Sequence, residues 1–217
     1  MTNAASQADD WSAISNELLQ GLIHALNNRL AALGALVELA RLGDEDGDSL
    51  EGLAEELTLL GNVNALFALL PERRSEPEAL ELSSALDDAL RLHAHHPRLR
   101  RATCDVRRSD DALPPVRAPR WALVRALVLL VHAAKQAGES AQERGGSTID
   151  LLADGPDVVV RAEVPGAPSE ELVALVARCG GRAERDGDAV TLRLPTLAEL
   201  RRRERELRGE SDAAPVK

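Results

Sequence analysis

The first seventy residues carry a hydrophobic pattern typical of two long helices. From Trp11 to Leu42 apolar residues recur at steps of three and four, which places them on one stripe of a helix. After the polar turn GDEDGDS (43–49), a second stripe runs to Pro71, a residue that cannot continue a helix. The first stripe consists of Leu19, Leu22, Leu26, Leu30, Leu33, Val37 and Ala40, and the second of Leu50, Leu53, Leu57, Leu60, Val63, Phe67 and Leu70.

Two long helices joined by a short loop make an antiparallel hairpin, which we predict over residues 11–71. A two-helix hairpin cannot bury both of its apolar stripes by itself. Pairing two copies into a four-helix bundle solves this problem, so the pattern predicts a homodimer. Packing of the stripes against the rest of the same chain is the alternative.

The rest of the chain alternates between helical and strand patterns. We interpret the polar, proline-bearing segment 72–79 as a linker and residues 80–195 as an α/β sandwich with helices on one face of a mixed sheet, which makes the fold class α+β. A charged helix over 196–210 and a disordered end complete the C-terminal region, 196–217. The sandwich is predicted to contain helices at about 83–95, 120–138 and 169–179, and strands at 102–107, 147–153, 157–164, 182–186 and 189–194.

Composition narrows the classes of function. The 217 residues suffice for one large or two small domains, with an aliphatic core, because there are one Phe, no Tyr and two Trp. A net charge of −10 disfavours nucleic-acid binding. The N-terminus lacks the features of a signal peptide, and no run approaches the roughly 18 apolar residues of a membrane span, so we expect a cytoplasmic protein without a membrane partner. Cys104 and Cys179 lie far apart and are expected to be small buried residues.

The most informative segment of the chain is residues 21–40. His24 lies beside the apolar stripe, and at helical spacing it shares a face with Asn28, Ala31 and Ala35. A solvent-accessible neutral imidazole is a good nucleophile near neutral pH, and small residues further along the helix allow another protein to approach closely. A lone surface histidine has no function in most proteins, so this pattern alone does not decide the question.

The segment His24–Leu30, HALNNRL, resembles the phosphoacceptor motif of bacterial sensor histidine kinases. In that motif a histidine is followed by an acid, two further residues, Asn or Thr, usually Pro, and then Leu. Residues 80–138 and 177–195 resemble the beginning and the end of the kinase ATP-binding domain, in the same order. The resemblance therefore covers residues 12–195 and implies a two-component signalling protein in which His24 is the phosphoacceptor.

The part that resembles an ATP-binding domain departs from the kinase pattern at three places. The kinases have an Asn on the central helix that helps to hold Mg²⁺, where this chain has His132. Their adenine-binding Asp is replaced by Val164, which cannot accept the hydrogen bond, and a site built around such a contact discriminates strongly when it is missing. The second glycine-rich box is absent, since only Ala167 and Pro168 separate Gly166 from the next helix. We therefore expect no ATP and no other cofactor.

The phosphoacceptor helix departs from the family in a matching way. Ala25 replaces the acid that acts as a base in autophosphorylation, and Arg29 replaces the usual Pro, but the Asn that orients water for dephosphorylation remains. The losses affect the ATP reaction and spare the histidine. The resemblance thus implies a histidine phosphotransferase that passes phosphoryl groups between response-regulator receivers, with Mg²⁺ on the receiver and a hybrid histidine kinase as a further partner. His24 and Asn28 are the predicted catalytic residues, and Asn27, Arg29, Ala31 and Ala35 are predicted to dock the receiver.

Two other functions stay open. The chain could be a non-catalytic adaptor or pseudokinase that regulates a receiver or kinase by binding it, or a receiver phosphatase that works through Asn28. The cluster His93, His95 and His96 raises the question of a metal site, but no carboxylate or Cys stands at ligand spacing and Pro97 indicates a helix end. We therefore expect a solvated helix terminus there, and no metal. The charged run 201–208 is expected to be an exposed helix.

Overall fold

The computed structural model describes residues 11–42, 48–72, 75–109, 112–140 and 147–208. The loop predicted at 43–49 and the end of the C-terminal region lie largely outside these ranges. A single 3₁₀ turn covers Leu99–Arg101. In chain order the helices and strands are α1 (Trp11–Arg41), α2 (Asp48–Phe67), β1 (Glu78–Leu80), α3 (Leu82–His93), β2 (Cys104–Arg108), β3 (Val116–Ala118), α4 (Arg120–Ser140), β4 (Ser147–Asp154), β5 (Asp157–Glu163), α5 (Glu170–Arg178), β6 (Arg182–Asp186), β7 (Ala189–Pro195) and α6 (Leu197–Leu207).

The predicted fold class, α+β, is confirmed. Two long helices precede a five-stranded mixed sheet with the strand order β2-β4-β5-β7-β6. Strands β2 and β4 are parallel, and the other neighbours in this sheet are antiparallel. A separate two-stranded sheet pairs β1 with β3. No helix in the described ranges is both long enough and apolar enough to cross a membrane.

Helix α4 forms the centre of the sandwich. Its sequence is apolar on nearly every side, as expected for a helix that is buried all round. It packs on the sheet, and α3 and α5 each pack against it. The Ser169 hydroxyl caps α5 by accepting a hydrogen bond from the backbone of Leu172, at 3.3 Å. This arrangement leaves one edge of α4 facing α3 and another facing the chain between β5 and α5.

Helices α1 and α2 form an antiparallel hairpin. The contacts run in opposite chain directions, because Arg29 lies 2.9 Å from Glu56 while a Cβ on Gly52 would lie 3.2 Å from Leu36. At the base of the hairpin, side chains from both helices join the main core. These buried residues are Trp11, Ile14, Leu18 and Leu22 from α1, and Val63 and Leu66 from α2.

At the base of the hairpin the sandwich covers Leu18 and Leu22 of α1, whereas Leu19 of the predicted stripe is 38% exposed in the single chain. Packing against the same chain, the alternative considered above, therefore describes the base of the hairpin. Its far end differs, since several large apolar side chains there are open to solvent in the single chain. These are Leu30 (51% exposed), Leu57 (58%), Leu50 (69%), Val37 and Leu39. Pairing of two copies stays a prediction.

A stack of aromatic and guanidinium groups fastens the hairpin base to the sandwich. The Arg125 guanidinium of α4 lies 4.7 Å from the ring centre of Trp11 and 5.3 Å from that of Trp121. It also donates a hydrogen bond to the carbonyl oxygen of Leu70, at 3.1 Å, just after α2. The backbone N–H of Trp11 donates to the Glu171 carboxylate of α5, at 2.9 Å. The start of α1 and the end of α2 are therefore held on α4 and α5.

Candidate functional site

His24 lies on the exposed side of α1, and its ring is hydrogen-bonded to Asn28 one turn later. The His24 Nε2 atom is 3.3 Å from Asn28 Nδ2. Because an amide nitrogen can only donate, Nε2 is the acceptor and the ring proton resides on Nδ1. The lone pair of His24 is therefore on Nε2, the atom at which a nucleophilic attack would begin.

His24 and Asn28 line a cleft of about 460 Å³ between α1 and the segment that follows α3. Among the described residues that line it, none is acidic, although the chain carries a net charge of −10. The cleft is thus a local environment that suits an anion. Its lining consists of Gln20, Gly21, His24, Ala25, Asn28 and Arg29 from α1, and Ala94, His95, Pro97 and Arg100 from the facing segment.

One turn of α1 sets the width of this cleft. A Cβ on Gly21 would lie 1.7 Å from the carbonyl oxygen of His95, so only glycine allows the helix to come this close. One turn earlier, the Glu17 carboxylate lies 3.0 Å from His96 Nε2 and also forms an ion pair with Arg98. These contacts hold α1 and the segment after α3, the two walls of the cleft, against each other.

The structure brings most of the predicted docking residues onto one surface. Asn27, Ala31 and Ala35 are exposed on α1, as are His24 and Asn28. Arg29 differs, because its guanidinium is bound to Glu56 of α2, with Nη1 at 2.9 Å and 3.2 Å from the two carboxylate oxygens. Arg29 thus holds the hairpin together and at the same time contributes to the lining of the cleft.

The expectation of a solvated terminus at His93 and His96 is wrong. His93, His96 and His132 of α4 form a buried cluster, with exposures of 0%, 1% and 4%. His93 Nε2 lies 3.2 Å from His132 Nδ1, and the rings of His93 and His96 are stacked 5.1 Å apart. His96 Nδ1 accepts a hydrogen bond from the backbone of Leu99, so its proton lies on Nε2, the atom 3.0 Å from the Glu17 carboxylate. His95 is half-buried and lines the cleft.

Burial keeps this cluster uncharged. Desolvation, followed by the charge of Lys135 and the neighbouring imidazoles, lowers the pKa of His93 to about 2. Desolvation likewise lowers the pKa of His132 to about 4 and that of His96 below its usual value. The near-parallel planes of His93 and His96 do not converge on a common point, and the described ranges contain no group of three His, Cys, Asp or Glu side chains placed to hold a metal.

A second cavity, also of about 460 Å³, lies between α4, α5 and the chain that joins β5 to α5. Val164 lines this cavity, whereas His132 is hydrogen-bonded to His93 of α3 in the histidine cluster. None of the described lining residues is charged. They are Leu129, Leu130, Ala133, Gln136, Ala137, Ser140, Val164, Pro165, Ala167, Pro168, Ser169, Leu172 and Val190.

No family model matches the chain, and no curated protein matches it. Among solved structures, the histidine kinase AdeS of Acinetobacter baumannii is 14% identical with a TM-score of 0.44, and the match covers 80% of this chain and 98% of that one. A structure described as a bacterial phosphotransferase is 13% identical with a TM-score of 0.39, covering 84% and 95%. The ATP-binding domain of PrrB from Mycobacterium tuberculosis is 14% identical with a TM-score of 0.43, covering 56% and 98%. All three likenesses are remote.

Proposed function

We propose that the chain is a histidine phosphotransferase of a two-component phosphorelay. His24 Nε2 attacks the phosphorus of a receiver aspartyl phosphate, a P–N bond forms, the P–O bond breaks, and the aspartate leaves as a carboxylate. The same steps in reverse pass the group to a second receiver, and the receiver supplies Mg²⁺. The observation that carries the proposal is an exposed imidazole that lines a cleft without acidic lining residues.

The surrounding residues have distinct roles in this reaction. Asn28 orients the ring through its hydrogen bond to Nε2, and this bond opens when Nε2 attacks phosphorus. A receiver can dock on the exposed short side chains of Asn27, Ala31 and Ala35. Arg29 ties α1 to α2 through Glu56, so that this surface keeps its shape.

The proposed reaction uses no ATP. His132 takes the place of the Asn with which the kinases hold Mg²⁺, and its imidazole is buried in the histidine cluster instead of lining the second cavity. Val164 lines that cavity but cannot accept a hydrogen bond from adenine, and the described lining has no cation to balance a triphosphate. The residues present do not fit a nucleotide.

The direct test is transfer of labelled phosphate from a panel of phosphorylated receivers to the purified chain. We expect one of them to label the protein with an acid-labile, base-stable bond, as for a phosphoramidate, and Mg-ATP alone to leave it unlabelled. The substitution His24→Ala should abolish labelling without weakening receiver binding, since surface changes usually cost under about 0.5 kcal/mol.

A second variant separates the phosphotransferase from an adaptor. Ala31→Arg places a bulky side chain on the exposed face beside the nucleophile and should weaken docking while leaving His24 in place. An adaptor predicts that His24→Ala has no effect on regulation whereas Ala31→Arg damages it. If no receiver labels the wild-type chain, the proposal fails in favour of the adaptor.

The exposed Asn28 amide beside His24 favours one further candidate, a receiver phosphatase. In that case receivers would lose their label in the presence of the chain, and no labelled chain would accumulate. Asn28→Ala would then stop the loss, whereas in the relay it would at most slow the transfer.

A further inference from the structure

We infer that Arg100, on the 3₁₀ turn after α3, binds the phosphoryl group while His24 carries it. This inference rests on the phosphotransferase proposed above and extends it. The sandwich, whose residues do not fit a nucleotide, would then contribute a phosphate-binding side chain to the reaction at His24. Arg100 lines the same cleft as His24 and Asn28, on the opposite wall.

The charges around the cleft favour this role. A phosphoryl group on His24 Nε2 is an anion that replaces a neutral lone pair, and arginine is the side chain best suited to phosphate. Arg29 also lines the cleft, but its guanidinium is already bound to Glu56. Among the described residues, Arg100 has no carboxylate partner, and the nearby Glu17 is engaged by His96 and Arg98. Arg100 is therefore the lining cation that is available to a phosphoryl group.

The buried histidine cluster fixes the position of Arg100. The backbone N–H of Arg100 donates to the carbonyl oxygen of His96, at 3.1 Å, and that of Leu99 donates to His96 Nδ1, at 3.2 Å. The Leu99 side chain is buried beneath the turn. Because His96 is also in contact with Glu17 of α1, the turn and the phosphoacceptor helix share one support. The backbone of Arg100 is therefore held in place relative to the helix that carries His24.

The test uses phosphoramidate, a small phosphoryl donor that requires no receiver. His24 Nε2 displaces ammonia from phosphorus, so the donor's P–N bond breaks as the new P–N bond forms. The pKa of the phosphorylated imidazole is then followed by ³¹P NMR. A cation lining the same cleft favours the more anionic form, so Arg100→Gln should raise this pKa by about 0.5. At a pH well above that pKa, where the protonated fraction is small, hydrolysis should become about threefold faster, because the protonated imidazole is the better leaving group.

Matched variants decide the outcome. Arg100→Lys keeps the charge and should restore most of the wild-type pKa. Arg101→Gln removes an exposed charge from the same turn, at a residue that does not line the cleft, and should change nothing. Equal shifts from Arg100→Gln and Arg101→Gln, or failure of phosphoramidate to label His24, would overturn the inference. If phosphoramidate labels His24 but no receiver does, the relay fails while the phosphoryl site stands.

Discussion

At the scale of single residues, the sequence predicts exposed groups better than buried ones. The side of α1 that carries His24 and Asn28 follows from helical spacing, which is a local property. The burial of His93 and His96 does not, because a neutral buried imidazole needs partners that are distant in sequence. Those partners are Glu17 on α1 and His132 on α4. The segment HAHHPRLRR is polar when viewed alone, and nothing within it indicates that two of its histidines turn inward.

The histidine cluster should make the stability of the fold depend on pH. The pKa of His132 is about 4 and that of His93 about 2 in the folded chain, both below the usual 6.5. At a pH between the folded and the unfolded pKa values the unfolded chain binds more protons than the folded chain. The free energy of unfolding is therefore highest above about pH 6.5 and falls as the pH decreases. Each such histidine contributes a slope of about 1.4 kcal/mol per pH unit. Urea unfolding at about pH 7.5, 6 and 5 measures this slope.

The substitution His132→Asn tests whether His132 causes this pH dependence of stability. Asn does not titrate, so the slope should become shallower by about one proton, or about 1.4 kcal/mol per pH unit, whatever the substitution does to stability at neutral pH. Arg101→Gln, outside the cluster, should keep the wild-type slope. Parallel curves for wild-type and His132→Asn would show that the cluster does not control acid stability.

At the scale of helices and strands, the long helices and the strands of five or more residues are predicted well, and the three-residue strands are not. The bounds of α1, α4 and α5 are close to those expected, because many turns of pattern define them. Strands β1 and β3 were missed, since three residues are too few for a period and each strand is defined by its partner. The burial of Leu18, which lies outside the predicted stripe on α1, was not predicted, because the sandwich determines which side of the helix it covers.

Gly21 is the position at which α1 depends most on its neighbour. Gly21→Ala would place a methyl group against the carbonyl oxygen of His95, which is backbone and cannot turn away. We expect a loss of about 1–3 kcal/mol, typical of overpacking, and slower transfer to His24 because the cleft widens. Chemical unfolding and receiver-labelling rates measure the two effects.

Gly34→Ala is the matched control on the same helix. No atom lies within 4 Å of a Cβ placed there, so alanine should stabilise the helix by about 0.5–1 kcal/mol. A Gly21→Ala protein as stable as Gly34→Ala would contradict the close contact between α1 and the segment after α3.

At the scale of the whole molecule, the order of its two parts was predictable and their junction was not. A helical hairpin followed by an α/β sandwich follows from the change in pattern near residue 72. The stack of Trp11, Arg125 and Trp121 that joins them connects residues far apart in the chain. The cleft beside His24 lies at this same junction. The site thus includes one wall, with Arg100, that the hairpin sequence alone did not indicate.

The far end of the hairpin provides the prediction about assembly. Leu30, Leu50 and Leu57 are at least half exposed in the single chain, and burying each such side chain is worth about 1.5–3 kcal/mol. We therefore expect a dimer through this end, which light scattering should detect as twice the chain mass of 23.3 kDa at micromolar concentration. Leu57→Glu should dissociate it, because a carboxylate would have to be buried unpaired.

The control for this variant is Leu207→Glu. Leu207 is 89% exposed, but it stands at the end of the charged helix α6, remote in sequence from the hairpin. A charge there should leave the mass unchanged, which separates loss of a specific interface from a general effect of added charge. A wild-type chain that is monomeric at micromolar concentration would contradict the dimer. In that case the hairpin would bury only the side chains at its base, which pack on the sandwich of the same chain.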